Sequence, residues 1–189
     1  TGFTGPFQVD YALKRGHTVT LFNRGQRPSP EWSGEVEQLH GDRNTGDLKS
    51  LEGREWDVCI DNPTSLPFWV RDAGRVLEGK VKQYVFVSTI SVYASDARPD
   101  QDESAPLAQY KGADAMKETQ ETLRANLEGL YGALKARSEQ EHARARYQSL
   151  VDSRVDVAYT LDVGTGKFTF VNAAVADLFG VPPEKFVGS

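Results

Sequence analysis

Short β-branched or aromatic runs alternate with helical stretches over roughly the first ninety residues, and this alternation restricts the architecture more than any other feature of the chain. Val19-Thr20-Leu21-Phe22, Val36-Glu37-Gln38-Leu39, Asp57-Val58-Cys59-Ile60-Asp61 and the run over 82–88 have strand composition, and the third reads as a buried strand. Before the first of them, Phe7, Val9, Tyr11, Ala12 and Leu13 give a helix-like apolar face that Gly16 terminates. A short helix is expected around 47–51 and a longer one over 68–77. Strands separated by helices call for a parallel sheet with the helices on its faces, so the expected class is α/β.

Beyond this region the pattern changes. Residues 95–109 are polar, acidic and proline-containing, and read as a loop. Helical composition follows over 113–126 and again over 130–151, where Leu130, Leu134, Tyr147 and Leu150 are the main apolar points of a heavily charged helix. Two alternating runs, 157–163 and 167–171, flank Gly164-Thr165-Gly166 and predict a β-hairpin. Asn172 is placed to cap a short helix that Gly180 ends, and Pro182-Pro183-Glu184 opens a further turn. A module boundary is expected within 142–147.

The residues that bear chemistry cluster in the first module. Tyr131 and Lys135 stand one helical turn apart on one face. A fixed ammonium beside a phenol favours the phenolate and lowers its pKa from about 10. A hydroxyl at a neighbouring strand end, Thr89 or Ser88, can hold the substrate oxygen that such a tyrosine protonates or deprotonates. Gly2 and Gly5 sit where a strand-to-helix turn cradles a pyrophosphate, the alternative being a frayed, glycine-rich terminus. At the end of the strand over 19–22 stand Asn23 and Arg24, where an acidic residue would hold the ribose hydroxyls of NAD. Arginine there accepts a ribose phosphate, which favours NADP; the competing reading is a solvated surface arginine.

Thr1-Gly2-Phe3-Thr4-Gly5, Val19-Thr20-Leu21-Phe22-Asn23-Arg24-Gly25, Gly41-Asp42-Arg43, Val85-Phe86-Val87-Ser88-Thr89-Ile90-Ser91-Val92-Tyr93 and Tyr131-Gly132-Ala133-Leu134-Lys135 together resemble the extended short-chain dehydrogenase/reductase superfamily, in its NAD-dependent epimerase/dehydratase branch. The resemblance covers residues 1–141 and implies a partial Rossmann-like sheet. It implies that Thr89, Tyr131 and Lys135 are catalytic and that Gly2, Phe3, Thr4, Gly5, Asn23, Arg24, Asp42 and Lys135 bind the cofactor, NADP or NAD. Asp42 would lie near the adenine, or else simply form its turn, and Thr89 is alternatively an ordinary strand-end hydroxyl. The chain departs from the family in lacking the apolar first strand and further glycines, which leaves two strand edges unpaired within the sheet. The family's substrate-binding continuation past its lysine is also absent. Little or no turnover is therefore expected of these 189 residues.

Residues 142–189 resemble instead the opening half of a PAS sensor domain, through Phe170-Val171-Asn172, Leu178-Phe179-Gly180 and Phe186-Val187-Gly188 after the hairpin. The first resemblance implies an NAD(P)-binding module acting by hydride transfer on a sugar-nucleotide-like or other hydroxyl- or carbonyl-bearing small molecule, here joined to the start of a PAS domain. The alternatives are a sensor that uses its PAS part for ligand sensing or dimerisation, which leaves a homodimer open, and a non-functional fragment or chimeric reading frame. A net charge of −5 argues against a nucleic-acid surface. No apolar run has membrane-spanning length, and the single Cys59 fits a reducing, cytoplasmic setting. Cys59 reads as a small buried hydrophobe, and Trp32, Trp56 and Trp69 as packing residues. His17, His40 and His142 lack metal-ligand spacing.

Overall fold

The computed structural model describes the chain apart from residues 1–3, 27–31, 33–35, 63–64, 96, 98, 153–158, 163, 166 and 189. It divides into two compact units, Thr1–His142 and Ala143–Ser189.

In the first unit, helix α1 (Gly5–Lys14) leads into strand β1 (Val19–Asn23), which pairs in parallel with β2 (Val36–His40). Pro6 stands in the first turn of α1, where a missing N–H costs nothing, and Gly16 leaves the helix at φ 78°. Val9 is buried with Trp32 and Val36, and Leu13, Val19 and Leu21 pack around them. Trp32 Nε1 donates to Asp10 Oδ1 at 2.7 Å. The apolar stripe of α1 is narrower than its sequence implies. Phe7 and Tyr11, on the side opposite Val9, are 72% and 64% exposed.

Strands β3 (Trp56–Asp61) and β4 (Val81–Phe86) form a second parallel pair, joined by helix α2 (Pro67–Leu77). On α2 the buried positions Trp69, Val70, Ala73 and Leu77 follow the three-and-four spacing of a core-facing stripe. Leu48, Leu51 and Leu77 form a cluster that gathers Phe22, Leu39, Trp56, Cys59, Val81 and Tyr84, so all four strands contribute to one core. β3 is buried on one face only. Asp61 is buried and Cys59 half-buried, whereas Val58 and Ile60 are about half exposed. The fold is thus mixed α/β with two short parallel pairs. Among the described residues no strand links β1 to β3 by hydrogen bonds.

After β4 the chain makes a 3₁₀ turn, Ile90–Val92, and the described residues of 95–109 form a loop whose stem is laced antiparallel. Ala94 N–H donates to Pro106 O at 2.8 Å and Ala108 N–H to Val92 O at 2.7 Å. The helix expected over 113–126 is broken into a 3₁₀ turn, Ala115–Lys117, and helix α3 (Gln120–Ala125). Asp114 accepts from Met116 N–H, and Thr119 and Thr122 make a reciprocal capping box. These side chains compete for the backbone and restart the helix. Helix α4 (Leu127–Asp152) follows, with the Asn126 amide oxygen accepting from Gly129 N–H at 3.2 Å. The unit boundary falls within α4.

In the second unit, β5 (Tyr159–Asp162) and β6 (Lys167–Val171) pair antiparallel, as the glycine turn predicts. Helix α5 (Ala174–Phe179) follows and ends at Gly180 with φ 67°. Asn172 stands just before it, its carbonyl accepting from Val175 N–H at 3.3 Å. The N-cap is Ala173 without a side-chain hydrogen bond, and Asn172 is buried.

One glycine fixes where α4 lies. A Cβ at Gly132 would run into the carbonyl oxygen of Ser91, and Ala108 closes the space at 3.7 Å. Helix propensity alone would make Gly132→Ala stabilising by about 1 kcal/mol. Collision with a backbone oxygen costs roughly 1–3 kcal/mol or more. Gly132→Ala is therefore expected to lower the urea midpoint; an increase would show that α4 does not rest on the 91–92 turn.

Candidate functional site

The C-terminal ends of the parallel strands carry most of the polar side chains that the sequence singles out. Asn23 ends β1, Asp42 follows β2, Asp61 and Asn62 close β3, and Val87 to Thr89 leave β4. In open α/β sheets ligands bind at this edge. α1 begins there too. Asn62 Nδ2 donates to Thr4 Oγ1 at 2.6 Å and to Gln8 Oε1 at 3.2 Å, which ties the end of β3 to the first turn of α1.

Lys135 is the most constrained of the expected site residues. Ala133, Leu134, Lys135 and Ala136 are four consecutive buried positions. Four successive residues cover the whole helix circumference, so this turn of α4 is enclosed on every side. The Lys135 ammonium donates to Val87 O at 2.5 Å and lies 4.1 Å from the centre of the Phe86 ring. Burial pushes its pKa down from 10.5 to about 8, with Asp61 and Glu139 acting in the opposite direction. Ser138, one turn on, returns its hydroxyl to Leu134 O at 2.9 Å.

Tyr131 is half-buried and packs against the cluster of Leu66, Trp69, Leu123 and Leu134. Its hydroxyl makes no hydrogen bond among the described residues. Thr89 caps the 3₁₀ turn, accepting from Ser91 N–H at 3.3 Å. Gly132 on Ser91 and Lys135 on Val87 therefore set two successive turns of α4 along the β4 exit, the segment that carries Thr89. An open cleft of about 690 Å³ lies beside the first turns of α4. Ala94, Ala108, Gln109, Lys111, Gly112, Asn126, Gly129 and Leu130 line it, so it reaches the residue before Tyr131.

The remaining expected cofactor residues divide. Gly2 and Phe3 lie outside the described residues. Thr4 and Gly5 stand at the start of α1, with Gly5 buried. Asn23 Oδ1 accepts from Gly25 N–H at 2.7 Å, and Arg24 is exposed beside it. Asp42 acts as a turn former, accepting from Asn44 N–H at 2.9 Å and pairing with Asp47.

Behind this edge lies a buried polar group whose pairing no sequence spacing announces. Arg43 makes two bonds to the Asp61 carboxylate, at 2.6 and 3.0 Å, and a third to Trp69 O at 2.8 Å. Its guanidinium lies 5.3 Å from the Trp69 ring. The Tyr84 hydroxyl donates to the second Asp61 oxygen. Burial, then the Asp61 charge, pushes the Tyr84 phenol far up, so it remains a donor. Burial raises the Cys59 thiol to about 12, which makes it a poor nucleophile. The available signal was an acidic residue directly after the apolar run Val58-Cys59-Ile60, a position where an unpaired carboxylate is costly.

Lys135 gives a pH dependence whose sign is fixed. Below pH 8 both states hold the proton, and the fold bears the full cost of burying it. Between about 8 and 10.5 the unfolded state binds more protons, so stability rises with pH. Urea unfolding of the native chain is expected to show a gain on the order of 1–3 kcal/mol across that window that Lys135→Met lacks. Parallel profiles for the two proteins would mean that Lys135 is not buried as a cation.

No family model matches the chain. The chain is 32% identical over 132 residues to the chloroplast stem-loop binding protein of 41 kDa b of Arabidopsis thaliana, a match covering 59% of this chain and 34% of that protein. The chain thus spans about a third of the length of this curated relative.

Proposed function

We propose that the unit Thr1–His142 binds a nicotinamide dinucleotide, NADP in preference to NAD, and serves hydride transfer at a hydroxyl- or carbonyl-bearing carbon of a small, sugar-nucleotide-like molecule. One observation carries this reading. Lys135 is enclosed at the exit of β4 one helical turn from Tyr131, and its charge is disfavoured by burial. A buried, reluctant cation at a strand's C-terminal end is a common mark of a functional site.

The donor set fits a phosphate-bearing dinucleotide. The N-terminus of α1 with Thr4, the exposed Arg24 after β1 and the Lys135 ammonium all stand at one edge. Arg24 would accept a ribose phosphate, Thr4 and Gly5 the pyrophosphate, and Lys135 a ribose hydroxyl. When bound, the nicotinamide supplies the hydride acceptor or donor. The chain's own residues supply the proton chemistry. Lys135, while protonated, stabilises the Tyr131 phenolate, Tyr131 takes or returns the proton, and Thr89 orients the oxygen. The cleft lined by Gln109, Lys111 and Asn126 would admit the substrate.

A second reading has its own support, because the name of the Arabidopsis relative says that it binds a stem-loop. Against it stands the net charge of −5. The hairpin and short helix of Ala143–Ser189 are the basis for reading that unit as the start of a sensor domain.

Titration with NADPH, followed by tryptophan fluorescence, is expected to give saturable quenching through Trp69, which lies in the cluster beneath Tyr131. Arg24→Ala is expected to weaken NADPH about tenfold and to leave NADH unchanged, since one exposed charge–phosphate contact contributes about 1.4 kcal/mol. No response to NADPH, with salt-sensitive retention of an RNA hairpin, would replace this reading with the second one.

A further inference from the structure

We propose that Asp61 is a positioning residue for Lys135. From the end of β3 its carboxylate provides the negative charge that keeps the lysine an ammonium, seated on the β4 exit. This rests on the reading of Lys135 as the site's lysine.

The backbone sets the geometry. Asp61 is the register partner of Phe86, and Asp61 O accepts from Val87 N–H at 3.2 Å. Lys135 is bound to the carbonyl of that same Val87 and lies over the ring of that same Phe86. Tyr84 and Phe86, two residues apart, project from one face of β4. The Tyr84 hydroxyl reaches Asp61, which puts the carboxylate on the face where the ammonium lies. Asp61 is 6% exposed and Lys135 is 3% exposed, so little water separates either from the other's field.

The groups around Lys135 are unequal in what they offer. Val87 gives a carbonyl dipole and Phe86 a ring face. Glu139 lies one turn along α4 and is half-buried. His142 packs against the Tyr84 and Phe86 rings, its Nε2 3.2 Å from Tyr84 O. Arg43 is a second cation on the same carboxylate, and Tyr84 is a neutral donor to it. Asp61 is therefore the one fully buried anion among them. It serves two cations, gripping Arg43 by direct bonds and acting on Lys135 through the field. The competing account gives Asp61 a purely structural part, as the anchor of Arg43 and Tyr84.

Titration of the Lys135 ammonium separates the two accounts. The probe is NMR of side-chain 13Cε-labelled lysine in the full chain without cofactor. In the native chain Lys135 is expected to titrate near 8. In Asp61→Asn the midpoint is expected about one unit lower, a tenfold loss of ammonium above it. Asp61→Glu, which keeps the charge, is expected to restore most of the difference. Should Asp61→Asn fail to fold with Arg43 left unpaired, the neutral pair Arg43→Gln/Asp61→Asn decides. A Lys135 midpoint lower than in Arg43→Gln alone supports the proposal, and one equal to it or higher overturns it. An unchanged midpoint in folded Asp61→Asn overturns it as well. Because this readout needs no nucleotide, a shifted Lys135 in a chain that ignores NADPH sinks the nicotinamide reading alone. NADPH binding with an unmoved Lys135 sinks the Asp61 proposal alone.

Discussion

The bidentate pair between Arg43 and Asp61 is the interaction on which the first unit depends. Its four described strands are hydrogen-bonded in twos, β1 with β2 and β3 with β4. An apolar cluster joins the pairs on one face, but apolar contact is non-directional and sets no register between them. Arg43 supplies the missing direction. It leaves the turn after β2, takes both oxygens at the end of β3 and continues to the carbonyl of Trp69 on α2. The bonds bring two separate strand ends to one edge. Removing only the arginine would strand a buried carboxylate, at a cost of about 3–5 kcal/mol, whereas a well-packed apolar replacement of both would cost little. The pair therefore contributes geometry more than net stability.

Enclosure of α4 is the second constraint, and it follows from a missing atom. Gly132 lacks the Cβ that would meet Ser91, so the helix approaches the β4 exit closely enough for its next turn to be buried all round. A lysine in that turn cannot extend its ammonium to water, and instead meets Val87 O and the Phe86 ring. Those contacts compensate only part of the lost hydration, which is why burial leads the causes that lower its pKa. Close packing of backbone and the chemistry of the amine are thus one fact seen at two levels.

Local patterns were legible in the sequence, and contacts between distant segments were not. The spacing of Tyr131 and Lys135, the strands β1 to β4, the hairpin β5–β6 and the stop at Gly180 each depend on neighbours within a few residues. The breaks in 113–126 are equally local, since Asp114 and Thr119, within a run of helical composition, both act as caps. Phe7 and Tyr11 carried the right periodicity and still point outward, because a period says which residues share a face and not which face is covered. Arg43 and Asp61 stand eighteen residues apart, with no spacing that announces a pair.

Asp42 and Arg43 show how far residue type can be taken. They are adjacent, both charged and both just past a strand end. Asp42 is short enough to close on its own turn, and its carboxylate is spent on Asn44 N–H. Arg43 is long and carries a planar fork, so it can cross to the next strand end and bind a carboxylate through two parallel bonds. The turn that Asp42 closes is what aims Arg43, since a tight Asx turn fixes the direction in which the following side chain leaves. The residue implied as a cofactor contact thus has a structural task. Its neighbour, to which the resemblance assigns no role, connects the edge where the candidate site lies.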